Sequence, residues 1–307
     1  MEPEVFLEQS NVIPLTKALI KVLNDKPNAS DRLTLLNNAG INSAWIGNLR
    51  LESQPNTLAP SLVAAFKAYR ISRGQPDYHP MVKLLEHLSE FIESYGLSDE
   101  EVDLFSRLID QGQENFKALK VRSAVGRIES PKGNGIGTGV LLEKNLLLTC
   151  NHIFSKTQVQ QAWVRLGYKT GSYGLEDIFE LDMKFVCFHN RLDYALVRIK
   201  GEPPQQSIVV RNYTFLNDGQ DIRLIHHPLG KPVVISDIGK IVQVGEDYID
   251  HNISADEGSS GAPIFNTQWE LVAIHRGHSG IGRSVLQGIL AGIPMYSIKN
   301  HMPLNLV

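Results

Sequence analysis

Residues 256–265 read Asp256-Glu257-Gly258-Ser259-Ser260-Gly261-Ala262-Pro263-Ile264-Phe265, a glycine-and-serine turn that runs into an apolar strand. A serine hydroxyl becomes a nucleophile only when a neighbouring base takes its proton. The anion formed by its attack needs backbone N–H donors aimed at it. Gly258 lets the chain bend so that its own N–H and that of Ser260 point into one pocket, and Gly261 leaves space behind the hydroxyl. Taken alone, the segment also reads as a plain Gly/Ser turn between two strands.

A base and an orienting group lie upstream. The run Leu146-Leu147-Leu148-Thr149-Cys150-Asn151-His152 sets a histidine just past an apolar strand, at a strand end rather than inside a core. Asp193 stands between Leu192 and Tyr194, ahead of the apolar stretch Ala195–Ile199. A carboxylate there either leads the strand through a turn or is buried to orient an imidazole. Each residue alone has an ordinary structural reading. The chain order His152, Asp193, Ser260 is that of the chymotrypsin class of triad, and the three together are far more specific than any one.

Around these segments the pattern is one of short strands. Val121–Ile128, Thr138–Leu142, Leu146–Cys150, Phe185–Phe188, Tyr194–Ile199 and Ile222–Ile225 are apolar or alternating runs bounded by Gly, Pro, Asn and Asp. Val233–Ile235, Tyr248–Ile253, Ala262–Phe265, Leu271–His275 and Gly288–Leu290 continue the series. Such spacing predicts a closed or nearly closed antiparallel architecture, and Pro294 opens a short helix through Met295–His301.

On these residues the region 121–307 resembles the trypsin-like peptidases, within them the bacterial glutamyl-endopeptidase and HtrA-like branch. Gly137-Thr138-Gly139, Thr149-Cys150-Asn151-His152, Asp193-Tyr194-Ala195-Leu196, Gly258-Ser259-Ser260-Gly261-Ala262-Pro263 and the loop His227-Pro228-Leu229-Gly230-Lys231-Pro232 carry the likeness. The resemblance implies a chymotrypsin-like double antiparallel β-barrel with its site between the barrels. It implies Ser260 as nucleophile, His152 as general base, Asp193 as orienting carboxylate, and the Gly258 and Ser260 N–H groups as oxyanion hole. Two departures stand out. Digestive trypsins have an aspartate before the nucleophile that pairs with a new amino terminus, and Ser259 here forms no such ion pair. The disulfide beside the histidine of secreted members is absent too.

By register from Ser260, Ser254 falls at the base of the S1 pocket, so an Arg/Lys preference has no matching aspartate. The strand Leu271-Val272-Ala273-Ile274-His275-Arg276-Gly277 resembles the one that gives glutamyl endopeptidases their S1 histidine. The resemblance implies an acidic P1 side chain on His275, helped by Arg276 or His278. The alternative is a His275 that packs at a strand end. His226, His227 and His251 lack zinc-type ligand spacing and read as structural. No metal and no cofactor is expected.

The 307 residues, 42% hydrophobic and 21% charged with a net charge of −3, describe an ordinary globular protein. No basic run suggests nucleic-acid binding, and no apolar stretch approaches the roughly 20 residues of a membrane span. The start Met1-Glu2-Pro3-Glu4 is acidic and no apolar run follows it, which argues against a secretory signal. Only 2 cysteines occur; Cys150 and Cys187 are expected as buried thiols, with one bridge as the alternative. A cytoplasmic protein is expected.

Before residue 120 the periods are helical. Ser30 is expected to cap a helix through Leu33 and Leu36 that stops at Gly40. Leu58, Leu62, Phe66 and Tyr69 form an amphipathic stripe that ends before Gly74. Pro80 opens a helix carrying Leu85, Leu88, Ile92 and Tyr95, and Ser98 with Glu101 signals a capping box. Residues 1–95 are read as a helical bundle, 96–120 as a helical linker and 121–307 as the β domain. Arg32–Ile41, Leu62–Tyr69 and His79–Leu85 resemble effector-associated domains, small death-fold-like modules that pair with like modules on sensor or NTPase proteins. The whole then reads as a cytoplasmic serine endopeptidase, recruited through residues 1–95 in a bacterial defence or signalling system. The alternatives are a catalytically silent adaptor, an inhibitory or structural cap at the amino end, or an HtrA-like quality-control protease. The last would bring a C-terminal peptide-binding domain, for which the chain has no room before Val307.

Overall fold

The computed structural model describes residues 7–71, 75–155, 159–170, 177–210, 215–277 and 288–303. The chain divides into two compact units, Glu2–Leu119 and Lys120–Val307.

The first unit is all helical: α1 (Gln9–Asn24), α2 (Ala29–Asn38), α3 (Ser43–Ile46), α4 (Pro55–Ala68), α5 (Pro80–Ser89), a 3₁₀ turn at Ile92–Tyr95, and α6 (Asp99–Ser123). Leu15, Leu19 and Val22 of α1 share one core with Leu58, Leu62 and Phe66 of α4 and Leu84, Leu85 and Leu88 of α5. Trp45 stacks flat on Phe66 with centroids 5.5 Å apart. Arg32 is buried, and its guanidinium closes the loops around α2 by donating to the Lys26, Leu51 and Ser53 carbonyls.

Two local expectations change here. The cap of α2 is Asn28, whose Oδ1 accepts the Asp31 N–H at 2.9 Å. Asn28 has the extended backbone a cap requires, whereas Ser30 already lies inside the helix. Residues 96–120 do not behave as a linker, because Leu104, Phe105, Leu108 and Phe116 of α6 are buried in the helical core. The capping box at the start of α6 does form, with Glu101 Oε2 accepting the Ser98 N–H at 2.8 Å.

The second unit contains two closed antiparallel barrels. The first is built from β1 (Val125–Glu129), β2 (Gly135–Leu142), β3 (Leu146–Cys150), β4 (Trp163–Leu166), β5 (Asp177–His189) and β6 (Tyr194–Ile199). Its order is β1-β2-β3-β6-β5-β4. The second barrel uses β7 (Asp221–His226), β9 (Gly239–Val244), β10 (Ile249–His251), β11 (Pro263–Asn266), β12 (Leu271–Gly277) and β13 (Leu290–Pro294). β8 (Val234–Ile235) pairs along β7. The order β11-β12-β13-β10-β9-β7 closes through pairing of β11 with β7. Closure removes exposed sheet edges. Short helices α7 (His152–Ser155) and α8 (Met295–His301) follow β3 and β13.

β3 and β6 have the expected bounds. The expected strand Val121–Ile128 is helical in its first residues, because α6 runs to Ser123 before β1 begins. β4, β9 and the amino half of β5 were not anticipated. Their apolar residues are few and interleaved with polar ones such as Lys240, Gln243, Glu180 and Asp182, so that buried Val164, Leu181 and Ile241 alternate with partly or fully exposed neighbours. Among the described residues no helix is long and apolar enough to cross a membrane.

Candidate active site

Strand register brings the first two residues together. β3 and β6 pair with Cys150 opposite Tyr194, so the residues just beyond their ends meet, and the Asn151 N–H donates to the Asp193 carbonyl at 3.1 Å. Asp193 has φ 66°, in the left-handed region that few non-glycine residues occupy. That turn aims its carboxylate back at α7. Oδ1 accepts the His152 backbone N–H at 2.8 Å, and Oδ2 lies 2.6 Å from His152 Nδ1. An ionised carboxylate only accepts, so it holds the imidazole proton on Nδ1 and leaves Nε2 as the acceptor. His152 Nε2 is 3.0 Å from Ser260 Oγ.

The turn carrying Ser260 is held from both sides. The Thr138 N–H donates to the Ser260 carbonyl at 2.9 Å, and the Gly261 N–H to the His275 carbonyl at 2.8 Å. Gly261 has φ 83°, and a Cβ there would lie 2.1 Å from Thr149 Oγ1 and 2.3 Å from the Thr138 carbonyl. Gly258 has φ 88°, and a Cβ on it would meet the His227 carbonyl at 2.7 Å. The Thr138 hydroxyl donates to the Gly258 carbonyl at 2.8 Å and accepts the His227 N–H at 3.1 Å. The peptide that carries the Gly258 N–H is anchored through its own oxygen, the Glu257 carbonyl, which accepts the Leu229 N–H at 2.6 Å. Among the described residues no protein acceptor takes the Gly258 or Ser260 N–H, which is what an oxyanion hole requires. Ser259 is fully buried, with Oγ 2.7 Å from His226 Nδ1. That contact stands where trypsins have an ion pair, and no local pattern announces it.

A cleft of about 780 Å³ is lined by His152, Asp193, Ser260, His275, Arg276 and Leu290, among others. His275 is 2% exposed, with Nδ1 3.0 Å from His251 Nε2. His251 Nδ1 accepts the Ile253 N–H at 3.3 Å, so neutral His251 carries its proton on Nε2 and donates it to His275. Burial pulls the His251 pKa down to about 4, which keeps it neutral. Read from sequence as merely structural, His251 thus fixes the tautomer of His275. Ser254, the register-based S1 residue, is exposed, and the lining passes through Ala255 instead. Arg276 does line the cleft, but its Nε donates to Asp193 Oδ2 at 3.1 Å. His278 lies outside the described residues.

Behind the site, His226 and His227 are also buried, and burial lowers both pKa values to about 4. Cys150 and Cys187 are free thiols, and Cys150 Sγ lies 3.3 Å from the His275 carbonyl. Cys150, His152 and Asp193 could offer three metal-ligand atoms within 4.8 Å of one another. The hydrogen bond between His152 Nδ1 and Asp193 Oδ2 already engages two of them.

Residues 137–274 match the family model of the trypsin-like peptidase domain, and residues 9–123 match that of effector-associated domain 8. The chain joins an effector-associated domain to a trypsin-like peptidase domain. Over 168 residues it is 27% identical to the glutamyl endopeptidase of Staphylococcus aureus strain MRSA252, covering 49% of this chain and 45% of that protein. For the glutamyl endopeptidase of strain MW2 the identity is 26% over 168 residues, 49% of each chain. The chain thus spans about half the length of the curated relatives it matches. The crystal structure of the serine endoprotease from Yersinia pestis superposes with a TM-score of 0.50 at 21% identity, covering 61% of this chain and 64% of that one. At that identity the likeness concerns the fold of the peptidase domain alone.

Proposed function

We infer that the chain is a serine endopeptidase that works through an acyl-enzyme on Ser260. The observation that carries this reading is the continuous contact from Asp193 Oδ2 through His152 to Ser260 Oγ, at 2.6 and 3.0 Å. His152 Nε2 takes the hydroxyl proton as Ser260 Oγ attacks the scissile carbonyl, and Asp193 stabilises the imidazolium. The Gly258 and Ser260 N–H groups receive the oxyanion. His152 then returns its proton to the leaving amine, and water repeats the sequence on the ester. The test is a peptide library incubated with the full chain and with Ser260→Ala. Cleavage lost in the variant supports the reading, and cleavage that persists in it overturns it.

For specificity the reading is an acidic P1 side chain received by His275. Two points support it: the glutamyl endopeptidase relatives, and the His251 contact that leaves His275 with its proton on Nε2 as a donor. Asp256 and Glu257 line the same cleft, so the library must contain Lys and Arg at P1. A preference for those residues sinks the acidic reading.

The helical domain is read as the recruitment module of a cytoplasmic effector in a bacterial defence or signalling system. It would bind a like module on a sensor or NTPase protein, raising local protease concentration without a new contact at the cleft. The match of residues 9–123 to effector-associated domain 8 supports this. Calorimetric titration of the full chain with helical modules encoded beside it tests the idea, and failure of every such module to bind counts against it.

A further inference from the structure

Asp193 Oδ2 faces two donors at once. His152 Nδ1 lies 2.6 Å away and Arg276 Nε 3.1 Å away. The other oxygen already accepts the His152 backbone N–H at 2.8 Å. The ring and main chain of His152 therefore fix the carboxylate at both oxygens, and Arg276 is not needed to orient it. What Arg276 adds is a permanent positive charge, because a guanidinium is not deprotonated in proteins. The side chains of Arg276 and Asp193 are 23% and 8% exposed, so water screens the pair only in part.

In the peptidase reading, on which this inference rests, Asp193 stabilises the imidazolium that forms as Ser260 loses its proton. A guanidinium on the same oxygen offsets part of the carboxylate charge and repels the imidazolium. We propose that Arg276 is a charge brake on the His152–Asp193 pair: a residue that acts through Asp193, without touching substrate, and holds the reaction below the rate its geometry allows. This differs from the expectation that Arg276 binds an acidic P1 side chain. A brake of this kind suits a protease that is folded before it is needed.

The experiment uses the full chain and a fluorophosphonate with no P1 side chain. Ser260 Oγ attacks phosphorus, fluoride leaves and His152 takes the hydroxyl proton, so the labelling rate reports the base and the oxyanion hole with no P1 contact. Arg276→Gln keeps an N–H donor without charge, Arg276→Lys keeps the charge, and Arg276→Met removes both. The Gln and Met variants should label about tenfold faster than wild type, with Lys within about twofold of it. A Gln variant no faster than wild type, with Met slower, makes Arg276 a geometric clamp and overturns the brake. In peptide hydrolysis the gain belongs in kcat, and a KM increase confined to Glu substrates returns Arg276 to substrate binding and also overturns it. Thermal melting checks that each variant folds. Failure of every folded form to label overturns the peptidase reading and the brake together, whereas a labelled wild type without the gain overturns the brake alone.

Discussion

Of the three residues in contact at the site, Asp193 occupies a backbone position that few residues tolerate. Asp193 in the left-handed region holds His152 through two hydrogen bonds. Asp193→Asn should therefore lower kcat about 10⁴-fold, because the amide favours the wrong imidazole tautomer. Steady-state kinetics on a cleaved peptide, with circular dichroism to show an intact fold, would check this. Gly258→Ala sets a Cβ 2.7 Å from the His227 carbonyl at φ 88°. The turn must shift, and loss of one oxyanion donor should reduce kcat by about 10²–10³-fold with KM little changed. Unchanged kcat would mean that Gly258 takes no part in the hole. The three candidate residues were legible because each lies in a short motif with its own local logic. His226, His251 and the contact of Arg276 with Asp193 were not, because each depends on a partner from another strand or turn.

Helix caps and strand ladders bear out different parts of the sequence pattern. Asn28→Ala removes the acceptor of the Asp31 N–H at the start of α2, and should cost about 1 kcal/mol in urea denaturation of the full chain. Ser30→Ala should cost far less, since Ser30 is inside the helix. In the first barrel Glu129 is fully buried between Arg127 and Arg165. Burial works against its charge, but hydrogen bonds from Arg165, Gly133 and Arg127 overcome it and hold the carboxyl below the usual range. Removing one member of a buried ion set leaves uncompensated charge, so Glu129→Gln should destabilise by about 3 kcal/mol, read as a lower urea midpoint. Apolar runs such as β3 and β6 announced themselves, because strands buried on both faces are almost wholly apolar. β4, β9 and the amino half of β5 did not, because a half-exposed strand needs few apolar residues once its neighbours supply the ladder.

Across the whole chain, His79, His226, His227 and His251 are buried, and each has its pKa lowered to about 4, chiefly by desolvation. In the unfolded chain these side chains take up protons near pH 6.5, and in the folded protein only near pH 4. Between those values the unfolded state binds more protons, so stability must fall as pH is lowered through that window. Urea midpoints at pH 7, 5.5 and 4.5 should decline steadily, and a flat series would contradict neutral burial of these histidines. Local pattern alone was enough to mark a helical region, a β region and the three candidate site residues, because periodicity and short turns are local properties of a chain. The place of α6 in the helical core, the control of the His275 tautomer by His251 and the contact of Arg276 with the Asp193 carboxylate emerge only once the chain is folded. Those are outcomes of barrel closure and helix packing, which bring residues far apart in the chain to within hydrogen-bonding distance, and no local pattern encodes which side chains will then meet.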